Sequence, residues 1–142
     1  MIDDRPAFAS AECHPEAAKT ICGEIAGEMS SVEIGPNTYV LIVTRGHRHD
    51  GAVLASCIHS GARFIGMIGS RRKSLLIRKS LVEEGVATRE EVEQVVSPIG
   101  LEIGGQSVEE IAVSIAAQLV AVRRNDRLDA PAKNFLPSGL KP

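Results

Sequence analysis

Three short polar segments of the chain carry residue types that could bind or transform a ligand. Thr44-Arg-Gly-His-Arg-His-Asp50 offers histidines and an aspartate, and Gly69-Ser-Arg-Arg-Lys73 offers three adjacent cations. Ile99-Gly-Leu-Glu-Ile-Gly-Gly105 is rich in glycine, which allows a backbone to approach a ligand closely. The first two segments follow apolar runs typical of buried strands. We therefore expect all three to meet at the carboxyl edge of an α/β sheet, where ligands bind.

The cationic segment predicts an anion site. A Gly-Ser turn that leads directly into a helix leaves backbone N–H groups free at the positive end of the helix dipole. Acids normally improve a first helical turn, so Arg71, Arg72 and Lys73 cost stability there unless an anion is bound. In the alternative interpretation, one arginine pairs with a neighbouring carboxylate such as Asp50 and the others are solvated.

The histidine-containing segment supports two interpretations. His47, His49 and Asp50 are residue types that bind metals, but their spacing matches no closed metal site, so we predict none. Alternatively, Asp50 caps a helix at a polar ligand-binding edge. A histidine there could also transfer a proton near neutral pH. The sequence identifies no catalytic residue.

Strands and helices alternate along the chain, which predicts an α/β domain with a mainly parallel sheet. The segment Tyr39–Thr44 is β-branched and apolar on both alternating sets of positions, the pattern of a strand buried on both faces, and Arg63–Ile68 is predicted to be a second buried strand. One or two short helices are predicted between Pro15 and Met29, and further helices at Gly51–Ser60 and Thr88–Val95. A helix capped by Ser70 runs to Glu84, and its apolar residues on one face are Leu75, Leu76, Ile77, Leu81 and Val82. The last predicted helix is Ser107–Arg124, and its residues on the core side are Ile111, Ile115, Leu119 and Val122.

Composition excludes several classes of function. The net charge of −2 and the scarcity of aromatic residues (one Tyr, three Phe, no Trp) give no basis for a nucleic-acid partner. No apolar run is long enough to cross a membrane. The three scattered cysteines predict a reducing cytoplasm, with the thiols as small core residues. Eight of the 16 Lys and Arg residues fall between Arg45 and Lys79 with a single acid, so this central third could attract an anion; solvated helix faces give the same pattern, and composition alone slightly favours them.

These segments, in this order, resemble the Rossmann domain of the XdhC/CoxI family over about residues 1–122. The resemblance is carried by Asp3-Asp-Arg-Pro, Val43-Thr-Arg-Gly-His-Arg-His-Asp50, Phe64-Ile-Gly-Met-Ile-Gly-Ser-Arg-Arg-Lys73, Leu81-x-x-Glu-Gly85, Ser97-Pro-Ile-Gly-Leu-Glu-Ile-Gly104 and Glu109-Glu-Ile-Ala-Val-Ser-Ile115. It implies an incomplete Rossmann-like α/β domain over residues 1–124, followed by a flexible tail over residues 125–142.

The resemblance implies a chaperone-like accessory protein for maturation of a molybdenum hydroxylase such as xanthine dehydrogenase. Such a protein would bind the molybdenum cofactor (molybdopterin) or a nucleotide and pass it to its hydroxylase partner, without being an enzyme itself. The alternatives are an NAD(P)-binding oxidoreductase remnant and a non-binding interaction domain. Against the former, the chain contains no G-x-G-x-x-G fingerprint.

The resemblance also implies which residues bind the cofactor. Asp3 and Asp4 match the acidic strand end that holds a ribose in Rossmann proteins. Arg45 stands where many family members have a histidine, which weakens any catalytic or metal role of its loop. The full implied set is Asp3, Asp4, Thr44, His47, Asp50, Gly69, Ser70, Arg71, Arg72, Pro98 and Gly100, with His49 matching the same loop.

The matching segments do not include the family's N-terminal domain or the first βα unit with its glycine-rich turn. In a Rossmann sheet of order 3-2-1-4-5-6, the absence of strand 1 separates strand 2 from strand 4. We therefore expect two unpaired strand edges, which favour association. Three alternatives follow: the sequence is a fragment, a separate chain supplies the other half, or the fold rearranges and forms a homodimer. Of these we expect a partner chain or a homodimer.

Overall fold

The computed structural model describes residues 1–124, without the side chains of His47 and Arg48. Its strands are β1 (Ile2–Asp3), β2 (Ile21–Cys22), β3 (Tyr39–Ile42) and β4 (Phe64–Met67). Its helices are α1 (Ile25–Glu28), α2 (His47–Cys57), α3 (Arg71–Glu83), α4 (Arg89–Gln94) and α5 (Val108–Arg124), and a 3-10 turn, Met29–Ser31, follows α1. The predicted tail lies outside the described residues.

The strands form two separate parallel pairs. β1 pairs with β2, β3 pairs with β4, and Val96 adds a single parallel bridge to Gly66 on the far side of β4. Within residues 1–124, β1 and β3 each have one sheet neighbour. The prediction of an α/β class with parallel strands is confirmed, and the two sheets are separated as expected.

The core lies between the β3–β4 sheet and helices α2, α3 and α4. Ile42, Leu54 and Met67 lie at its centre and are almost completely buried. Burial of each such side chain contributes about 1.5–3 kcal/mol. The cluster comprises Val40, Ile42, Val53, Leu54, Cys57, Met67, Ile77, Leu81, Ala87, Val92 and Val95. This packing fixes the directions in which β3 and β4 deliver their following loops.

The prediction that β3 is buried on both faces is wrong. Val40 and Ile42 point into the core, whereas Leu41 and Val43 on the opposite face are 41% and 56% exposed. Side chains alternate between the two faces of a strand, and α2 and α3 cover only one of them. Within the described residues, no layer of helix covers the second face of β3.

The predicted start of α2 is also wrong. The helix begins at His47 and its N-cap is Gly46, four residues before the predicted Asp50 cap. Asp50 therefore lies in the first turn, where its backbone N–H donates to the carbonyl of Gly46 at 3.0 Å. Its carboxylate is free for a tertiary contact instead of capping the helix.

The caps of the other predicted helices are confirmed. The Ser70 hydroxyl accepts the N–H of Lys73 at 3.3 Å at the start of α3. Thr88 and Glu91 form a reciprocal capping box at the start of α4. At the start of α5, the Ser107 hydroxyl accepts the N–H of Glu110 at 3.2 Å.

The predicted apolar face of α3 is only partly buried. Ile77 and Leu81 enter the core with Ser74, but Leu75 and Leu76 are 68% and 59% exposed. Of the one or two short helices predicted between Pro15 and Met29, the four-residue α1 is present, and β2 occupies Ile21–Cys22 in the same segment.

The prediction that the cysteines are core residues holds for Cys57 alone. Cys57 is buried in the core, and the surrounding apolar groups raise the pKa of its thiol to about 11. Cys13 and Cys22 are free and exposed, because both lie outside the β3–β4 layer that forms the core.

Candidate anion-binding site

The predicted site residues lie where the parallel strands end. β1 leads into Asp3 and Asp4, β3 into residues 44–50, and β4 into residues 69–72. Residues 97–105 follow the Val96 bridge beside β4. Parallel strands direct all of these loops to one edge, the usual position of a ligand in this class of fold.

The β4–α3 turn presents a cluster of cations at a helix start. Gly69 has a φ of 141°, a backbone conformation that side chains oppose, and Ser70 then caps α3. Arg71, Arg72 and Lys73 follow, all exposed. Because the cap engages only the Lys73 N–H, the N–H groups of Arg71 and Arg72 in the described structure remain for an incoming acceptor.

One of these arginines pairs with a carboxylate, but the partner differs from the predicted Asp50. Arg71 donates to Glu102, a residue of the glycine-rich segment, and both side chains are exposed. An exposed pair of this kind contributes only about 0–1 kcal/mol. A more highly charged anion can therefore replace Glu102 at little cost.

The carboxylate of Asp50 holds its own loop together. The Thr44 hydroxyl donates to Oδ1 of Asp50 at 2.6 Å, and Asp50 is only 6% exposed. His49 is exposed, and the side chain of His47 lies outside the described residues. Over the described part of the chain, no group of three or more His, Cys, Asp or Glu side chains is arranged to hold a metal ion.

The two acidic residues at the end of β1 have different partners. Nε and Nη2 of Arg5 donate to the two oxygens of Asp3, each at 2.8 Å. The side-chain hydrogen bonds from Arg5 hold the pKa of the Asp3 carboxyl well below its usual range. Nη2 of Arg45, a residue outside the predicted set, instead donates to Asp4 at 3.2 Å.

The glycine-rich segment is fixed against α5 by two buried polar residues that sequence reasoning did not identify. The Gly100 N–H donates to Oε1 of Gln118 at 2.7 Å, and the Ser114 hydroxyl donates to the carbonyl of Leu101 at 2.5 Å. The sequence feature that could have identified Ser114 and Gln118 is their spacing, since two polar residues four positions apart lie on one face of α5, beside its apolar positions. The apolar residues predicted for the core side (Ile111, Ile115, Leu119 and Val122) are only partly buried.

Gly100 also approaches α5 closely. Its φ is 104°, and a Cβ atom there would lie 2.4 Å from Oγ of Ser114. Pro98, two residues earlier, is exposed and follows a cis peptide bond. Position 100 therefore requires glycine for both conformation and space.

The predicted residues come together in two groups. Asp4 meets the β3–α2 loop through Arg45, and the Gly69–Arg72 turn meets the glycine-rich segment through Glu102. We refer to Arg45, Arg71 and Arg72 as the cationic edge. The small cleft near Asp4 and His49 has a volume of about 50 Å³. Small-molecule pockets measure about 300–1,000 Å³, so the described residues near Asp4 and His49 offer an open surface, not a closed pocket.

Comparison with known proteins agrees with the fold. Residues 1–119 match the sequence profile of the XdhC Rossmann domain. The chain superposes on a crystal structure of a xanthine dehydrogenase from Bacillus halodurans with a TM-score of 0.75 and 29% sequence identity, over 92% of this chain and 37% of the other.

Two curated proteins are similar over most of this chain. The uncharacterized protein YqeB of Escherichia coli strain K12 is 31% identical over 129 residues, which are 90% of this chain and 23% of YqeB. A probable xanthine dehydrogenase subunit of Bacillus subtilis strain 168 is 28% identical over 126 residues, 87% of this chain and 35% of that protein. The chain thus spans about a quarter to a third of the length of these relatives.

None of its described helices is long and apolar enough to cross a membrane.

Proposed function

The chain belongs to the XdhC Rossmann-domain family, and we propose that it is an accessory protein for the maturation of a xanthine dehydrogenase-like molybdenum hydroxylase, in the cytoplasm. Two similar proteins carry xanthine dehydrogenase in their names, which supports this association. The protein would hold the molybdenum cofactor or its precursor, release it to the hydroxylase, and catalyse no reaction of its own.

The observation that carries the proposal is the exposed cationic start of α3. Arg71 and Arg72 follow a capped Gly-Ser turn, and their backbone N–H groups face the carboxyl edge of the sheet. Molybdopterin carries a phosphate, whose oxygens suit both helix N–H groups and guanidinium groups. The residues present therefore fit the phosphate of this cofactor. The bound group would supply the metal chemistry that the hydroxylase later uses.

The present partners of the cationic edge make binding reversible. Arg71 pairs with Glu102 and Arg45 pairs with Asp4, and both pairs are exposed. A phosphate bearing nearly two charges would displace a single carboxylate from each arginine. When the cofactor leaves, the two carboxylates re-form the pairs. Such an exchange suits a protein that delivers its ligand.

The cofactor site becomes complete when an additional strand lies between β1 and β3. Each of these strands has one neighbour within the described residues, and the second face of β3 exposes Leu41 and Val43. An apolar strand with a glycine-rich turn would join the two sheets and bring a second phosphate-binding wall beside the cationic edge. A further polypeptide segment would supply it.

Titration of the purified full chain with molybdenum cofactor tests the proposal. We expect retention by the wild type and about a tenfold loss for the double variant Arg71→Ala/Arg72→Ala. The matched control is Arg123→Ala/Arg124→Ala, which removes the same charge from the far end of α5. Absence of retention by the wild type, or equal retention by the two double variants, would overturn the proposal.

Binding of NAD(P) is the second candidate, supported by the two aspartates at the end of β1. A ribose would need a carboxylate there as an acceptor. Both oxygens of Asp3 are already engaged by Arg5, and Asp4 pairs with Arg45, so this candidate is less well supported. Calorimetric titration with NADH and NADPH distinguishes the candidates. A protein that binds neither nucleotide nor molybdopterin would be an interaction domain.

A further inference from the structure

A shallow groove runs between α2 and α3, on the side of the molecule formed by these two helices. Its volume is about 450 Å³, much larger than the cleft near Asp4 and His49. Small residues of α2 form one wall and α3 forms the other. The lining is Gly51, Ala52 and Ala55 on α2, Leu76, Ile77, Ser80, Leu81 and Glu84 along α3, and Val86.

The rim of this α2–α3 groove exposes a large apolar side chain. Leu76 lines the groove and is 59% exposed, although the opposite wall consists only of glycine and alanine. Small residues on one helix allow a second helix to approach closely, and an exposed leucine beside such a space gains free energy when covered. The groove thus has the dimensions and chemistry of a helix-packing surface.

The charges along α3 are arranged against the helix dipole at both ends. The helix begins with Arg71, Arg72 and Lys73, and no acid lies in its first turn. It ends with Glu83 followed by Glu84, and no base lies in its last turn. Lys79, one turn earlier, forms an exposed ion pair with Glu83 at 3.5 Å, and a pair of this kind contributes only about 0.3–0.5 kcal/mol. Bases weaken the N-terminus of a helix and acids weaken the C-terminus. An antiparallel neighbour with the same charge pattern would compensate both ends at once.

A second copy of α3 is such a neighbour, and we infer that two copies of this chain dimerise through antiparallel packing of α3 over the α2–α3 groove. A two-fold axis level with Arg78 sets Lys73 opposite Glu83 of the second copy. It also sets Leu76 opposite Ser80 and beside the small residues of α2. Each contact then occurs twice, as a two-fold symmetric interface requires.

The positions of the α3 residues around the helix axis determine which of them belong to this interface. At 100° per residue, Lys73, Leu76, Ser80 and Glu83 lie within one stripe of α3. Leu75 lies about 100° from Leu76 and does not line the groove. The inference does not rest on cofactor binding, because none of its proposed contacts uses Arg45, Arg71, Arg72 or Glu102.

Sedimentation velocity of the full chain, from about 1 to about 100 µM, tests the dimer. We expect a dimer for the wild type, a monomer for Leu76→Glu and an unchanged dimer for the control Leu75→Glu. Circular dichroism and thermal unfolding would verify that each variant is folded. A wild type that stays monomeric throughout this range, or a dimer that Leu76→Glu leaves intact, would overturn the inference.

Charge exchange tests the antiparallel register separately. Lys73→Glu places two acids together and Glu83→Lys places two bases together, so each should weaken the dimer about tenfold. The double variant Lys73→Glu/Glu83→Lys restores opposite charges and should recover most of the affinity. A double variant no stronger than the single variants would exclude this register and overturn the proposed packing.

Discussion

The guanidinium of Arg45 lies 3.2 Å from the carboxylate of Asp4 and connects the loop after β3 to the end of β1. These residues are 41 positions apart in the chain and follow strands of separate sheets. Their ion pair is exposed on both sides. Asp4 thereby neutralises one of the cations that we assign to phosphate binding, and acts as a competitor of the ligand.

Replacement of Asp4 by asparagine should strengthen anion binding. The variant removes the competing charge and leaves Arg45 available, so we expect inorganic pyrophosphate to bind about two to five times more tightly at low salt. Isothermal titration calorimetry measures this change. The control is Glu90→Gln, which removes an exposed acid from the start of α4. Weaker binding by Asp4→Asn would assign Asp4 to the ligand instead.

Gly100 should tolerate substitution much less well than Gly104. Both have a positive φ, but only at Gly100 would a Cβ atom collide with a neighbour, Oγ of Ser114 at 2.4 Å. We expect Gly100→Ala to lower the free energy of unfolding by about 2–4 kcal/mol and Gly104→Ala by about 1 kcal/mol. Urea unfolding measures both. Equal losses would show that backbone conformation alone sets the cost.

Local patterns of the sequence were sufficient to predict the starts of α3, α4 and α5, although not that of α2. Ser70, Thr88 and Ser107 each cap a helix, and each cap depends on a partner three residues away. A contact of that range is encoded within one turn of the chain. The same locality explains the correct placement of the cationic segment at the start of α3.

Tertiary partners were not predictable in the same way. The partner of Arg71 is Glu102, 31 residues away, and the exposure of Leu41 depends on which face of β3 is covered. The burial of Gln118 depends on the position of Gly100 beside α5. These contacts join residues that are far apart in the chain, so the sequence predicted the segments of the site but not the partners that hold each of them.

Gln118 should be important for the stability of the glycine-rich segment. Its Oε1 accepts the N–H of Gly100, and the residue is almost completely buried. Gln118→Ala leaves this N–H without a partner and should cost about 1–3 kcal/mol of unfolding free energy. The matched control Gln94→Ala, at the exposed end of α4, should cost less than about 0.5 kcal/mol. Similar losses in urea unfolding would contradict this role.

The imidazole of His59 makes stability dependent on pH. Its Nδ1 lies 3.0 Å from the Glu91 carboxylate and its Nε2 lies 2.9 Å from the carbonyl of Val86. Both partners are acceptors, so only the protonated ring donates to both. The Val86 carbonyl, and then the charge of Glu91, raise the pKa of His59. The contribution of His59 to the free energy of unfolding is therefore complete below its unfolded-state pKa of about 6.5. It is lost as pH rises through the raised pKa of His59 in the folded protein.

Urea unfolding of the wild type and His59→Gln between about pH 5.5 and pH 9 measures this contribution. We expect the difference in unfolding free energy to be largest at the acidic end and to shrink as pH rises, since the neutral ring donates to one acceptor only. In the Glu91→Gln background the dependence should weaken but persist, because the Val86 carbonyl remains. A difference that grows with pH would show that the neutral ring makes the stabilising contacts.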